Sequence, residues 1–256
     1  MNTIKEITAA LKNAEQIEPW MEEIKQDGRA GVQKAWAAFE KRMAKRQLVM
    51  DVHKEKCRFD ASFLPHPEAF AAGVDEAGRG PLAGPVVTAA VILPNDCEAL
   101  AGINDSKQLS KELRESYAAR IKEHAICYHI HFQPAEKIDE LNIYEATKQS
   151  MAASVAGLSV QPAVVLVDAM TLPIQLPQHS IIKGDAKSLA IAAASILAKT
   201  ARDEYMEQLH AQYPQYGFGQ HAGYGTKQHL KALEQYGPTK HHRKSFEPIK
   251  SMIRGE

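Results

Sequence analysis

Two apolar runs joined by a glycine-spaced loop constrain the fold of this chain more than any other feature. Phe70–Val74 leads into two adjacent carboxylates, Asp75 and Glu76, and a second apolar run over residues 85–93 follows the loop at residues 77–84. Short apolar runs bounded by turn residues are typical of buried strands. The pattern predicts two strands with both carboxylates at the end of the first, beside a loop that a ligand can approach closely.

Two simpler explanations compete for this loop. Acidic pairs in turns are most often solvated charges that bind nothing. A dinucleotide-binding fingerprint needs the order glycine-x-glycine-x-x-glycine at the start of a helix. Here Gly84 comes one residue too late after Gly78 and Gly80, and Pro81 intervenes. We therefore reject the dinucleotide explanation and look elsewhere in the chain for support of a metal site.

Length and composition are those of a protein with a substantial core. The 256 residues are 45% apolar, enough for one large domain or for a core domain with an appendage. No apolar stretch reaches the roughly 20 residues of a membrane span, and residues 1–19 are too charged for a signal peptide. We expect a cytoplasmic protein with no membrane partner and no need for more than a monomer. Three widely spaced cysteines suit a reducing compartment: Cys57, Cys97 and Cys127.

The first part of the chain has a helical pattern only. Apolar residues recur there at helical spacing until the prolines of residues 64–67 interrupt them. We predict a helical extension over residues 1–66 and a main domain over residues 67–256 that ends in a helical segment. Although the whole chain has zero net charge, residues 29–58 contain nine Lys and Arg against three acids, a net charge of +6. This basic stretch either contacts a phosphate backbone or forms the solvated face of a helix.

The main domain alternates strands with helices. Apolar residues alternate with His129 and His131 over residues 126–132, as in an antiparallel strand with one buried face. The two histidines are either metal ligands or outward-facing side chains, and we leave them unassigned. Further strands are predicted over residues 163–168 and 180–183, and helices over residues 134–157 and 186–210. The order predicts an α/β fold with a mixed five-stranded sheet flanked by helices.

Acidic residues recur where strands end or helices begin. Asp75 and Glu76 follow one predicted strand and Asp168 follows another. Asp185 precedes a long predicted helix. Each of the last two is alone equally consistent with a turn residue or a helix cap. If all four carboxylates converge, their repulsion requires divalent cations, and oxygen ligands without Cys or His favour Mg²⁺ or Mn²⁺. Two such ions would support in-line phosphoryl transfer.

Seven separated segments resemble, in the same order, those of the ribonuclease HII family, the type 2 ribonucleases H. The first is residues 73–85, which contains the acidic pair and the glycine loop. The resemblance runs from about residue 72 to residue 246 and omits the helical extension. The remaining segments are Asp105-Ser106-Lys107, Val167-Asp168-Ala169, and residues 183–188, 193–199, 223–226 and 242–246.

The resemblance implies a ribonuclease H-like fold and metal-dependent endonucleolytic cleavage. The implied substrates and partners are RNA–DNA hybrids and duplex DNA containing single ribonucleotides, and the products carry 5′-phosphate and 3′-hydroxyl ends. Asp75 and Asp168 would be the principal ligands, Glu76 a further ligand, and Asp185 the residue most dependent on a second ion. The implied cofactors are Mg²⁺ or Mn²⁺, two ions per site.

The same resemblance implies how ribose is recognised. Gly78, Arg79 and Gly80 would form the ribose sensor, because only backbone without an obstructing side chain can approach a 2′-hydroxyl closely. Tyr224 would stack beside the nucleotide that follows the ribonucleotide. Three other cations are either phosphate contacts or solvated charges: Lys199, Arg202 and Arg243.

The related ribonucleases HIII lack this glycine-arginine-glycine arrangement and have a sheet-containing N-terminal domain, so the helical extension favours type HII. The extension would then add substrate affinity through residues 29–58. Two alternatives stay open: a general metal nuclease or polynucleotidyl transferase with a similar acidic site, and a catalytically silent hybrid-binding scaffold. The glycine loop and Tyr224 argue against the first, and the complete set of carboxylates argues against the second.

Overall fold

The computed structural model describes residues 3–95, 97–103 and 109–254. The predicted Asp105-Ser106-Lys107 motif therefore lies outside the described residues. Contacts along the chain divide it into two compact units, Met1–Lys54 and Glu55–Glu256. The dividing point lies within a long helix, so the last turns of that helix belong to the second unit.

The first unit is helical, as predicted. It contains α1 (Ile4–Asn13), α2 (Met21–Lys25) and most of α3 (Ala30–Ala61). Thr3 begins α1 with a capping box, in which its hydroxyl accepts from the Glu6 N–H and the Glu6 carboxylate accepts from the Thr3 N–H. Apolar residues at helical spacing meet in one core: Ile7, Leu11, Met21, Val32, Trp36 and Phe39.

The second unit is built on the predicted mixed five-stranded sheet. Its strands are β1 (Ala71–Ala77), β2 (Val86–Ile92), β3 (Cys127–Gln133), β4 (Val164–Asp168) and β5 (Gln178–Ile181). Their spatial order is β3-β2-β1-β4-β5. The first three are antiparallel neighbours, while β1, β4 and β5 are parallel. The first strand continues through both carboxylates instead of ending before them.

Helices cover both faces of this sheet. The further helices of this unit are α4 (Lys111–His124), α5 (Ala135–Leu141), α6 (Ile143–Ala156), α7 (Gly184–Lys187), α8 (Leu189–Gln212), α9 (Phe218–His221), α10 (Lys227–Tyr236) and α11 (Ile249–Arg254). The last three pack with the C-terminal part of α8. The apolar residues of α6 pack on one face of the sheet and those of α8 on the other. None of the described helices has the length and hydropathy that a membrane crossing requires.

Two predicted helices are each divided. The helix predicted over residues 134–157 breaks at Asn142, whose positive φ of 68° ends α5 and whose side chain caps α6. The helix predicted from Ala186 begins earlier, as the single turn α7, and restarts after Ser188, which is extended and caps α8. In both places a side-chain cap overrides a continuous apolar pattern.

The predicted buried face of β3 is only partly buried. Tyr128 and Phe132 are 38% and 41% exposed, whereas Cys127 and Gln133 are buried. The reason is that β3 is an edge strand, so alternation alone does not determine which side chains another element covers. His131 accepts or donates at Ser150 on α6, which gives this histidine a structural contact.

Candidate active site

Strand register places two of the predicted carboxylates side by side. The parallel pairing of β1 with β4 aligns Val74 with Val167, so the next residues, Asp75 and Asp168, are neighbours. Both valines pack in the apolar cluster under α6. Because successive side chains alternate between faces, Asp75 and Asp168 share the opposite face, toward α8.

The Asp75 carboxyl is surrounded by groups that oppose its ionisation. Burial raises its pKa well above the ordinary value, and the negative charges of Glu76 and Asp168 raise it further. Hydrogen bonds from the Glu76 N–H, at 2.7 Å, and from the Ser195 hydroxyl on α8 act in the other direction. We call Asp75, Glu76 and Asp168 the acidic edge, a place where negative charge is concentrated in a poorly solvated volume.

The other two carboxylates of the acidic edge, Glu76 and Asp168, also have partners within the second unit. Glu76 lies at 3.4 Å from the exposed Arg79 guanidinium, measured from Oε1 to Nη1. Asp168 accepts a 2.7 Å hydrogen bond from the Gly184 N–H at the start of α7. Asp185 is the next residue of α7 and is partly exposed. The convergence of its carboxylate with the acidic edge remains a prediction.

The donor set suits a hard divalent cation, although the side chains are not arrayed as a finished coordination shell. Within the described ranges 3–95, 97–103 and 109–254, no three Asp, Glu, His or Cys side chains converge in metal-ligating geometry. The fit rests on Asp75, since a buried carboxyl whose pKa is raised by two adjacent carboxylates is stabilised in its ionised form by an added cation. The residues present therefore fit the ions that the sequence implies.

A buried arginine holds the glycine loop, which we define as residues 78–84. The Arg243 side chain is fully buried and donates to the carbonyls of Gly78 at 2.6 Å, Arg79 at 2.8 Å and Gly84 at 3.0 Å. Burial lowers the pKa of Arg243 to about 9, with a contribution from the positive charge of Arg202. The group is still protonated near neutral pH, so a permanent positive charge orients the loop carbonyls inward.

A second buried arginine supports the same loop from α8. Arg202 donates to the carbonyls of Pro85 at 3.1 Å, Ala83 at 3.2 Å and Ala222 at 3.0 Å. Gly78 has a φ of +92°, and a Cβ there would lie 1.9 Å from the Arg202 Nε. Glycine is therefore required at this position by conformation and by the close approach of the arginine.

The segment that carries Tyr224 is attached to this loop. The Leu82 N–H donates to the Gly223 carbonyl at 2.8 Å, and a Cβ at Gly80 would lie 3.6 Å from the Tyr224 ring. Tyr224 is 49% exposed, so part of this residue is open to solvent. The structure thus brings together Gly78, Arg79, Gly80 and Tyr224.

Two buried histidines anchor the Tyr224 backbone. The Thr239 N–H donates to Nδ1 of His242, whose Nε2 lies 3.1 Å from Nε2 of His229, and Nδ1 of His229 lies 2.9 Å from the Tyr224 carbonyl. These partners assign one tautomer to each ring, with the His242 proton on Nε2 and the His229 proton on Nδ1. Burial lowers the pKa of both imidazoles, that of His242 to about 3. We call this arrangement the histidine relay.

The family models match both units of the chain. The model described as Ribonuclease HII matches residues 72–249, and the model described as Ribonuclease HII N-terminal domain matches residues 3–64. The chain belongs to the ribonuclease HII family. It is accordingly an endoribonuclease of the ribonuclease H type.

Individual relatives agree with this assignment, and solved structures agree with the fold. A ribonuclease HII from Halalkalibacterium halodurans is 49% identical over 249 residues, which cover 96% of this chain and 94% of the relative. The solved ribonuclease H2 of Pyrococcus horikoshii superposes with a TM-score of 0.64 at 27% identity, over 73% of this chain and 98% of that one. Bst-RNase HIII, solved with Mn²⁺, shares the fold at a TM-score of 0.56 and 20% identity, over 73% of this chain and 70% of that one.

Sequence reasoning missed the roles of Arg202, Arg243 and the histidines in this ribonuclease HII. The two arginines are buried at 1% and 0% exposure, so they are neither solvated charges nor exposed phosphate contacts. Lys199 forms an ion pair with Asp203 one turn further along α8, at 2.6 Å. The sequence signal for a role of Arg243 was its position in one of the segments that the family shares. That signal did not identify its partners, which lie far away in the chain.

Proposed function

We propose that this ribonuclease HII is a divalent-metal-dependent endonuclease that cleaves the RNA strand of RNA–DNA hybrids. It also incises duplex DNA on the 5′ side of a single embedded ribonucleotide, leaving 5′-phosphate and 3′-hydroxyl ends. The observation that carries this proposal is the continuity of the acidic edge with the glycine loop. Residues 75–80 contain both a carboxylate pair suited to cations and a backbone suited to ribose.

The acidic edge performs the chemistry in this proposal. Asp75 and Asp168 would hold the cations, Glu76 would be a further ligand, and Asp185 would act with a second ion. Two Mg²⁺ or Mn²⁺ ions bound there would activate water and stabilise the leaving 3′ oxygen. The Ser195 hydroxyl and the Gly184 N–H keep the Asp75 and Asp168 side chains oriented during this step.

The glycine loop recognises the ribose. Its carbonyls are directed inward to Arg243, as at Gly78 and Arg79, so the opposite side of the backbone can face the 2′-hydroxyl. The exposed Arg79 side chain contacts a phosphate, and Tyr224 stacks on the next nucleotide. In this proposal the acidic edge cleaves and the glycine loop that follows it in the chain recognises ribose.

Cleavage of a defined duplex tests the proposal directly. Duplex DNA with one ribonucleotide, an RNA–DNA hybrid and an all-DNA duplex are each incubated with the protein and Mg²⁺ or Mn²⁺. We expect a nick on the 5′ side of the ribonucleotide and no cleavage of the all-DNA duplex. Failure to nick under either metal would refute the proposal. Equal cleavage of all-DNA would identify a general nuclease, and binding without cleavage would identify a scaffold.

Gly80→Ala isolates ribose recognition from folding. The added Cβ would make only an ordinary contact, 3.6 Å from Tyr224, so stability should be unchanged. We expect cleavage at a single ribonucleotide to fall by about tenfold to a hundredfold, as when a hydrogen-bonded substrate group loses its partner. The matched control is Gly28→Ala, where an added Cβ meets nothing within 4 Å. Unchanged cleavage by Gly80→Ala would remove the glycine loop from ribose recognition.

We further propose that the basic stretch of the helical extension adds substrate affinity. Arg29 forms an ion pair with Asp27, and Arg42 donates to the Leu11 and Ala14 carbonyls, so these two cations serve the fold. The exposed lysines that share one face of α3, at i, i+7 and i+11, are better suited to phosphates: Lys34, Lys41 and Lys45.

Replacing these three lysines by alanine tests the role of the extension. We expect weaker hybrid binding and a smaller salt dependence, with the slope of log K against log salt reduced by about 0.7–0.9 for each phosphate that is no longer neutralised. Binding is measured with Ca²⁺ in place of the active metal. The control removes three exposed lysines elsewhere, Lys5, Lys12 and Lys122. An equal salt slope in the two triple variants would contradict a specific role for this face.

A further inference from the structure

The last two turns of α3 contact the segment that carries Asp185. Lys56 is 3% exposed, and its ammonium donates to the Asp185 carbonyl at 2.8 Å and to the Ile103 carbonyl at 3.3 Å. Asp60, one turn further along, accepts from the Ala190 N–H at 3.0 Å. Both side chains lie in the second compact unit, although the family model of the N-terminal domain extends to residue 64.

The segment that carries Asp185 has few hydrogen bonds within itself. Helix α7 is a single turn, Lys183 before it has a left-handed φ of 56°, and Ser188 after it is extended. A single helical turn that an extended residue separates from the next helix is by itself only marginally stable, because few hydrogen bonds offset the loss of backbone entropy. External contacts must therefore determine where Asp185 lies.

Three side chains from outside α7 bind the chain on either side of Asp185 or at Asp185 itself: Asp168, Lys56 and Asp60. The Gly184 N–H is bound by Asp168, the Asp185 carbonyl by Lys56 and the Ala190 N–H by Asp60. Asp60 also interacts with the Ser188 hydroxyl and the Leu189 N–H, so it completes the N-terminal cap of α8. Two of the three supports thus come from α3, and a buried lysine and a partly buried aspartate are costly to keep without a positional reason.

We propose that Lys56 and Asp60 are positioning residues for Asp185. They hold α7 between α3 and the start of α8, and so direct the Asp185 carboxylate toward the edge that carries Asp75 and Asp168. This inference rests on the proposed function, since it assumes that Asp185 serves the metal-dependent reaction. Its effect is on metal use and not on the recognition of substrate.

Lys56→Met in the full-length protein tests the role of the lysine. We expect the Mg²⁺ concentration for half-maximal cleavage to rise about tenfold, the lower end of what removing a residue that orients a metal ligand produces. The KM for substrate should stay unchanged. Amide hydrogen exchange over residues 184–190 should accelerate in the metal-free protein, which gives a readout independent of activity. Glu55→Met, an exposed neighbour on the same helix, is the control for both measurements.

A double-mutant cycle with Asp185→Asn shows whether Lys56 acts through Asp185. We expect Lys56→Met to raise the Mg²⁺ requirement in the parental protein and to add nothing in the Asp185→Asn background. A lower melting temperature with a parental Mg²⁺ requirement would make Lys56 merely structural and overturn the inference. Full activity of Asp185→Asn would instead refute the role given to Asp185 in the proposed function.

Asp60 supplies a second route if Lys56→Met does not fold. Asp60→Asn keeps an oxygen that can accept from the Ala190 N–H, whereas Asp60→Leu removes it. We expect near-parental Mg²⁺ dependence for Asp60→Asn and a severalfold higher requirement for Asp60→Leu. Equal Mg²⁺ dependence of the two Asp60 variants and the parental protein would overturn the inference.

Discussion

The acidic edge and the glycine loop are adjacent in the chain, but like charges repel one another in the first, whereas a positive charge binds carbonyl oxygens in the second. At the acidic edge, burial and two neighbouring carboxylates raise the pKa of Asp75. In the glycine loop, a buried guanidinium satisfies the carbonyls of Gly78, Arg79 and Gly84. In the first region, burial and like charge oppose the ionisation of Asp75, so an added cation would stabilise the site, whereas in the second a guanidinium of the same chain already balances three carbonyl dipoles.

This difference separates what the protein must bind from what it already contains. A cluster of like charges is stabilised by added cations and destabilised without them. A loop held by buried hydrogen bonds keeps one conformation before substrate arrives, which reduces the entropy lost on binding. We therefore expect catalysis to depend strongly on the concentration of divalent cations. We expect ribose recognition to depend on the integrity of the fold.

The largest expected effect concerns Asp75→Asn. Removing this principal carboxylate should lower kcat by about a thousandfold or more, because metal stabilisation of the transition state contributes several kcal/mol. Cleavage of the single-ribonucleotide duplex measures the loss. Glu136→Gln, a change of the same kind at an exposed residue of α5, is the control. Substantial activity in Asp75→Asn would remove the acidic edge from catalysis.

The next effect concerns the internal partner of the glycine loop. Arg243→Met would leave three loop carbonyls without their donor, and we expect a loss of about 3–5 kcal/mol in the free energy of unfolding. Arg79→Met, at an exposed position, should change stability by less than about 1 kcal/mol. Urea denaturation of the two variants compares them. A small loss for Arg243→Met would contradict the view that this loop is held internally.

A smaller effect in the opposite direction is expected for the stability of the metal-free protein. Asp75→Asn removes a buried carboxyl that resists ionisation, so its melting temperature near neutral pH should rise by a few degrees, at about 2–4 °C per kcal/mol. Mg²⁺ should stabilise the parental protein but stabilise the variant much less. Thermal unfolding with chelator and with Mg²⁺ measures both. A lower melting temperature for metal-free Asp75→Asn would show that burial and repulsion at Asp75 do not destabilise the parental protein.

The acidic edge and the histidine relay should respond to pH in opposite senses. The raised pKa of Asp75 means that its contribution to stability is present below its unfolded value and is lost as pH rises through its folded value. The pKa of His242, lowered to about 3, has the reverse effect. Its contribution is complete above about 6.5 and is lost as pH falls toward 3, with a slope of up to about 1.4 kcal/mol per pH unit.

His242→Gln and Asp75→Asn separate these two pH dependences. In the metal-free protein, His242→Gln should remove the stability that is lost as pH falls from about 6.5 toward 3, and Asp75→Asn should remove the stability that is lost as pH rises from about 3.9, the unfolded value of an aspartate. Denaturation from pH 4 to pH 8 gives both curves. If both variants changed the slope of this curve in the same direction, the histidine relay and the acidic edge would have to be treated as one electrostatic unit.

The fold was largely predictable because its signals are local. Apolar runs at 70–74 and 163–168 predicted β1 and β4, and the turn residues between β1 and β2 predicted a tight connection. The divided helices were not predictable in this way, since Asn142 and Ser188 act through cap geometry. Periodicity reports which residues share a face and is insensitive to a single interrupting cap.

The candidate site was predictable to a different extent. The acidic and glycine-rich residues are recognisable in sequence because their residue types and spacing carry the chemistry. Arg202 and Arg243 were not, since an arginine on a helix or in a loop looks the same whether it is solvated or buried. Lys56 was counted with the basic stretch of the extension, yet it is buried in the second unit.

The sequence by itself determined the family, the five strands and the residues available for chemistry, because these depend on residue type, order and local spacing. Only the tertiary structure decided which polar groups are partners. Arg243 meets the Gly78 carbonyl across 165 positions of chain, and Lys56 meets the Asp185 carbonyl across 129. Such pairings depend on desolvation and on the positions of distant backbone atoms, which no local pattern specifies.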